Sequence, residues 1–204
     1  MSDESKLFPA MDAHNVKATF LETVVAVLRG RGVNFESGLG ANEFDEIEGT
    51  YNLRLPPDLR TFLQLSLPTS DGFPNWRGPQ AALQKTLSWP VEGICFDIER
   101  NAFWVPVWGP RPTKVADALA FALQALGQAP KLIPVYKHRY IPAEPHATGN
   151  PVLSVYQTDI IHYGNDLPGY FNREFEVPLP ASAAAMPRPI RFWDELIRLN
   201  AERD

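Results

Sequence analysis

The sequence predicts a single α+β domain with a mainly antiparallel sheet flanked by helices, and three observations carry that expectation. Helical spacing dominates the first third of the chain and returns near its end. The strand-like runs cluster together and are not separated by regular crossover helices, which disfavours a doubly wound parallel sheet. Nineteen of the 20 prolines lie after residue 55, and each removes a backbone donor and fixes φ, so long helices are expected mostly at the front. The length of 204 residues fits one domain, and a chain of that size buries about 70% of its unfolded surface.

Between Asp12 and Arg31, Val16, Phe20, Val24, Val27 and Leu28 recur at intervals of three and four. Gly30 and Gly32 supply the stop, so the spacing predicts an amphipathic helix. A second helix is expected after Asn42 as N-cap, with Phe44, Ile47 and Tyr51 on its apolar stripe. Glu43, Asp45, Glu46 and Glu48 lie on its other sides or near its positive N-terminal end. Leu55-Pro56-Pro57-Asp58 forbids helix before the second proline and permits one to start there, giving a third helix through Leu59, Phe62 and Leu63.

From Asp71 to Pro90 the chain is rich in Gly and Pro with little period. It reads as a long surface connection with one helical turn near Ala81 to Lys85. Ile94, Phe96 and Ile98, then Phe103, Val105 and Val107, alternate across a turn at Glu99-Arg100-Asn101, which reads as a hairpin. Thr113 is expected to cap a helix through Val115, Leu119, Leu123 and Leu126 that ends at Gly127 and Pro130. Runs at Ile133, His138 to Ile141, Pro151 and Asp159 read as strands. Asn165-Asp166 caps a short helix with Leu167, Tyr170, Phe171 and Phe175, and a proline-rich tether leads to a final amphipathic helix through Phe192, Leu196 and Leu199.

Composition narrows function by exclusion. Nineteen basic against 24 acidic side chains, a formal charge of -5 and a pI near 5.4 argue against a phosphate-backbone binder, which needs a basic footprint. The polar, acidic first residues do not read as an export signal, and no apolar run approaches the ~18 residues of a membrane span. A single cysteine, Cys95, fits a reducing compartment. A cytoplasmic protein is expected. The phosphate-loop glycine fingerprints and the GxSxG elbow do not occur, and Ser66, Ser70, Ser88 and Ser154 read as turn or strand serines. Cys95 reads as a small buried residue on a strand. His138, His146 and His162 could in principle meet around a metal, but none belongs to a helical i, i+4 pair; Asp159 and Asp166 have structural explanations beside a strand and at a cap. No catalytic residue, cofactor or metal is expected.

Five tryptophans are the remaining unusual feature. Trp104 and Trp108 read as packing on the sheet. Trp76 lies in Asn75-Trp76-Arg77-Gly78, within the expected surface loop; aromatic and Arg side chains are both favoured at interface centres, so core packing and partner binding stand side by side.

Three segments read together resemble the SUKH superfamily, which includes the yeast cell-wall synthesis regulator and many bacterial immunity proteins. FDEIEGTYNLRLPPDLRTFLQLS is similar to the family's opening helix, Leu-Pro-x-Asp corner and second helix. GICFDIERNAFWVPVWGPRP is similar to a pattern of bacterial members. LIPVYKHRYIPAEPHATGNPVLSVYQTDIIHYGNDLPGYFNREF is similar to the closing strands and helix. One departure is SLPTSDGFPNWRG, where the family often has Asn-Gly. The resemblance implies a curved antiparallel sheet and covers a core domain over 44–176; beside it the residues read as an N-terminal helical segment, 1–43, and a proline-rich tether with a C-terminal helix, 177–204, packing on or beside the core. It implies binding rather than catalysis, above all neutralisation of a cognate polymorphic toxin. The expectation is therefore a protein partner, such as a basic nuclease-type toxin domain. The contacts expected for it are the acidic Glu43, Asp45, Glu46 and Glu48, which favour encounter with a basic partner, and Trp76 and Arg77. The alternative is a scaffold or regulatory adaptor of cell-wall-regulator type with several partners.

Overall fold

The computed structural model describes residues 13–201; the readings placed on the first residues, on Asp12 and on the side chain of Val16 lie outside the described residues. The elements are α1 (Ala13–Gly30), β1 (Phe35–Ser37), α2 (Ala41–Tyr51), α3 (Pro57–Leu65), β2 (Ser66–Pro68), α4 (Gln80–Arg100), a 3-10 turn (Pro106–Trp108), α5 (Val115–Leu126), β3 (Leu132–Tyr136), β4 (Arg139–Pro142), β5 (Val152–Tyr156), β6 (Asp159–Gly164), α6 (Leu167–Phe175) and α7 (Trp193–Ala201). The α+β class stands. β1 and β2 pair antiparallel, and β3, β4, β5 and β6 form an antiparallel meander in chain order.

The meander is covered on both faces, which explains why its strands read as nearly continuous apolar runs. Ile133, Val135, Ile141 and Val152 join a core with Val24 and Leu28 of α1, Phe62 of α3 and Phe171 of α6. Leu132, Tyr140, Leu153, Val155 and Ile160 join a second core with Ile94 and Ile98 of α4, Ala118 and Ala122 of α5 and Trp193 of α7. Successive residues of a strand point to opposite faces, so one strand can serve both cores. α1 shares the first core with α3 and α6, so α1 is part of this body. α7 docks in cis: the Trp193 indole N–H donates to the Pro130 carbonyl at 2.7 Å, and Leu196 is buried in the second core.

The expected hairpin over 94–107 is instead the last turns of the 21-residue α4 and the coil after it, and the expected loop over 71–90 ends at Pro79. Residues 94 and 98 belong equally to a period of two and to an i, i+4 helical pair, and the chain uses the latter. Leu83, Leu87, Val91, Ile94 and Ile98 form the inward stripe, whereas Phe96 is 46% exposed. Cys95 accordingly lies on a helix, half-buried, and burial together with Glu92 pushes its thiol pKa up. Two caps also differ from expectation. Gly40, not Asn42, is the N-cap of α2, and Lys114, not Thr113, precedes α5.

Pro90 lies inside α4 and cannot donate to the carbonyl of Thr86, four residues back. The hydroxyl of Tyr140, buried in the sheet, donates to that carbonyl at 3.0 Å. A tertiary hydrogen bond thus replaces the lost helical one, and burial drives the Tyr140 phenol pKa up. The Tyr170 hydroxyl is buried with no hydrogen-bond partner among the described residues. The two phenols therefore differ in a measurable way. Tyr140→Phe should cost about 1–3 kcal/mol in denaturant unfolding by orphaning the Thr86 carbonyl, whereas Tyr170→Phe should be neutral or slightly stabilising.

Candidate partner-binding surface

Glu43 occupies the first turn of α2, and its carboxylate accepts the N–H of Gly40 at 2.8 Å. The carboxylate also meets the guanidinium fork of Arg77: Nε donates to Oε1 at 2.6 Å and Nη2 to Oε2 at 3.1 Å. The same guanidinium donates to Glu36 and to the Ser37 carbonyl, both at 3.0 Å, and to the Gly38 carbonyl at 3.3 Å. Arg77 therefore clasps the N-terminus of α2 to β1. Hydrogen bonding from Arg77, followed by that from Gly40, holds the Glu43 carboxyl near a pKa of about 2, well below its ordinary 4.5, and the pairing raises the Arg77 pKa in turn.

Because Glu43 titrates lower in the folded state than in the unfolded chain, the pairing stabilises the fold above about pH 4.5 and is lost as pH falls from 4.5 towards about 2. Glu43→Gln should lower Tm above pH 4.5, and the gap to the wild-type protein should close over that acid window. Both side chains face water, so added salt should shrink the gap as well.

Glu43, Glu46, Trp76 and Arg77 line one groove of about 280 Å³ together with Thr50 and Gln80. Four of the six residues expected at a partner site are thus brought together, although they come from a helix and from a loop more than thirty residues away. Asp45 is exposed on α2 but does not line the groove, and neither Asp45 nor Glu46 forms a salt bridge among the described residues.

Two of the six need correction. Trp76 is only 5% exposed and belongs to the first core, because the loop folds its apolar ring inward while Arg77 holds the backbone from outside; it is not an exposed anchor. Glu48 faces inward along the chain. It accepts the Leu55 N–H at 3.0 Å and pairs with Arg60 at 3.3 Å, fixing the corner between α2 and α3.

The three histidines have separate partners. His138 contacts Arg139, and burial followed by that charge lowers its pKa; His146 approaches the Leu55 carbonyl at 3.2 Å; His162 pairs with Asp194 at 3.2 Å. Among the described residues no group of three or more His, Cys, Asp or Glu side chains is placed to hold a metal ion. Asp166 is the expected cap of α6, accepting the Gly169 N–H at 2.7 Å. Among the described residues no helix is long and apolar enough to cross a membrane.

A second surface lies away from the groove. Trp104 and Trp108 lie in the coil after α4, half-buried against the second core, and pack edge to face at 5.0 Å. Phe121, 41% exposed, lies 5.7 Å from the first ring and 6.0 Å from the second, and Val107 is 67% exposed. The available signal was the composition of α5, whose twelve residues include one charged side chain, Asp117, although only Ala118, Ala122 and Leu126 are buried. A helix apolar around its circumference yet facing water marks an interaction face.

No protein-family model, curated protein or solved structure matches the chain.

Proposed function

We propose that this chain is a non-enzymatic protein-binding domain, a cytoplasmic immunity protein of the SUKH kind that neutralises a cognate toxin by binding it directly. The observation that carries the reading is the carboxylate-rich groove at the start of α2. Glu43 and Glu46 line it, Asp45 lies beside them on α2, and Glu36 shares the Arg77 guanidinium, so the carboxylates outnumber that one cation. Such a field accelerates encounter with a basic protein and disfavours acidic ones. The three segments similar to the superfamily supply the rest of the support, α3, the β3–β6 meander and α6 lying within the first and third of them.

The test is to express the C-terminal domain of a neighbouring large open reading frame in a host, with and without this protein, and to measure association of the pair. Rescue, a stable complex and an association rate that falls at least tenfold in an Asp45→Lys, Glu46→Lys variant or in high salt are expected. Rescue unaffected by that variant would remove the groove from the reading. The surface where Phe121 and Val107 are exposed beside the half-buried Trp104 and Trp108, which shares no residue with the groove, favours a second reading as an adaptor with several partners. An unbiased pull-down returning several partners that are lost in Phe121→Glu, without toxin rescue, would establish the adaptor instead.

A further inference from the structure

We propose that the cleft between α4 and the C-terminal end of α5 binds a small amphiphilic carboxylate, with the apolar body against Leu87, Val91, Leu123, Leu126 and Trp193 and the carboxylate on Lys131. The cleft has a volume of about 310 Å³, at the lower end of the range of small-molecule sites and about twice a cavity that accepts benzene. Its apolar walls come from two helices that pack against each other and from α7. Leu123 is 51% exposed, so one wall is an aliphatic side chain left half in water. The Trp193 N–H is already engaged by the Pro130 carbonyl, so the indole offers a ligand its apolar ring.

The polar lining consists of Tyr51 and Lys131 together with Gln84 and Ser88 of α4, and the Ser88 hydroxyl is already engaged in donating to Glu92. Lys131 donates through Nζ to the carbonyls of Tyr51 and Asn52, at 3.1 and 2.6 Å, and Tyr51 lines the cleft with it. Those carbonyls belong to the C-terminal end of α2, which carries roughly half a negative charge. They fix the ammonium in place and offset only part of its charge. No carboxylate lies within salt-bridge distance of Lys131 among the described residues. An exposed ammonium hydrogen-bonded at the edge of an apolar cleft that no carboxylate lines matches a ligand with one negative group on a short apolar body.

Octanoate is the probe, titrated into the full chain by calorimetry while the indole N–H resonance of Trp193 is followed. Saturable one-to-one binding is expected, at least tenfold tighter than for octanamide, with Lys131→Arg retaining it. Lys131→Met should weaken it at least tenfold. Because that variant also disturbs the end of α2, Leu123→Glu provides an independent check: an anion placed on the exposed wall should repel octanoate without touching α2. No saturation, equal binding of octanoate and octanamide, or octanoate affinity unchanged in both Lys131→Met and Leu123→Glu would overturn the proposal.

Discussion

Trp76→Ala should destabilise the protein by about 3–5 kcal/mol, the range for deleting a buried aromatic ring. For a chain of this size that corresponds to a fall in Tm of roughly 6–20 °C. The ring is 5% exposed and packs in the same cluster as Leu83, Ile47 and Phe44, so its removal opens a cavity beneath the groove. Trp76→Phe retains part of the volume and should cost clearly less. Glu46→Lys, on the exposed wall of the same groove, should alter stability by no more than ~0.5 kcal/mol while reversing a local charge. The pair of variants separates fold from recognition. If Trp76→Ala kept its stability to within 1 kcal/mol and lost only partner affinity, the ring would have to act outward, against its burial.

Trp76 also shows where sequence reading stops. A tryptophan beside an arginine in a Gly- and Pro-rich stretch is compatible with an exposed anchor and with a plug held from outside, and the choice depends on partners distant in sequence. Glu36 and Glu43 turn Arg77 into a clasp, and that clasp seats the neighbouring ring in the core. The groove was legible in part because α2 places its carboxylates by helical spacing alone, whereas the approach of residues 76–80 depends on tertiary packing. The end of α4 differs from the expected hairpin for another reason. A residue pair four apart satisfies both periods, and Pro90 argued against a long helix, while its remedy, the Tyr140 hydroxyl, comes from a strand fifty residues later. The meander and α6 were legible because Asp166 caps its helix locally and the apolar runs are flanked by turn residues.

Asp97→Ala should cost about 3–5 kcal/mol, since its carboxylate, 5% exposed on α4, is the acceptor for several donors at once. It takes the backbone N–H of Thr158 at 3.0 Å, the Thr158 hydroxyl at 2.6 Å and the Asn101 side-chain amide at 2.6 Å. Thr158 is itself buried, so truncation strands two donors away from water. One turn earlier, Gly93 lies so close to the β5–β6 turn that an added Cβ would sit 2.8 Å from the Cα of Gln157. Carboxylate and glycine together therefore set how near α4 approaches the sheet. Asp97→Asn keeps an acceptor and should cost less than Asp97→Ala, and Gly93→Ala should destabilise although it removes no hydrogen bond, because backbone rather than a pliable side chain opposes the new methyl. Denaturant unfolding of the three variants ranks these effects; a cost below 1 kcal/mol for Asp97→Ala would mean that apolar packing and the Tyr140 hydrogen bond hold α4 without this carboxylate. A polar residue between apolar ones reads as solvent-facing, and only a buried donor pair in a turn sixty residues away turns it inward.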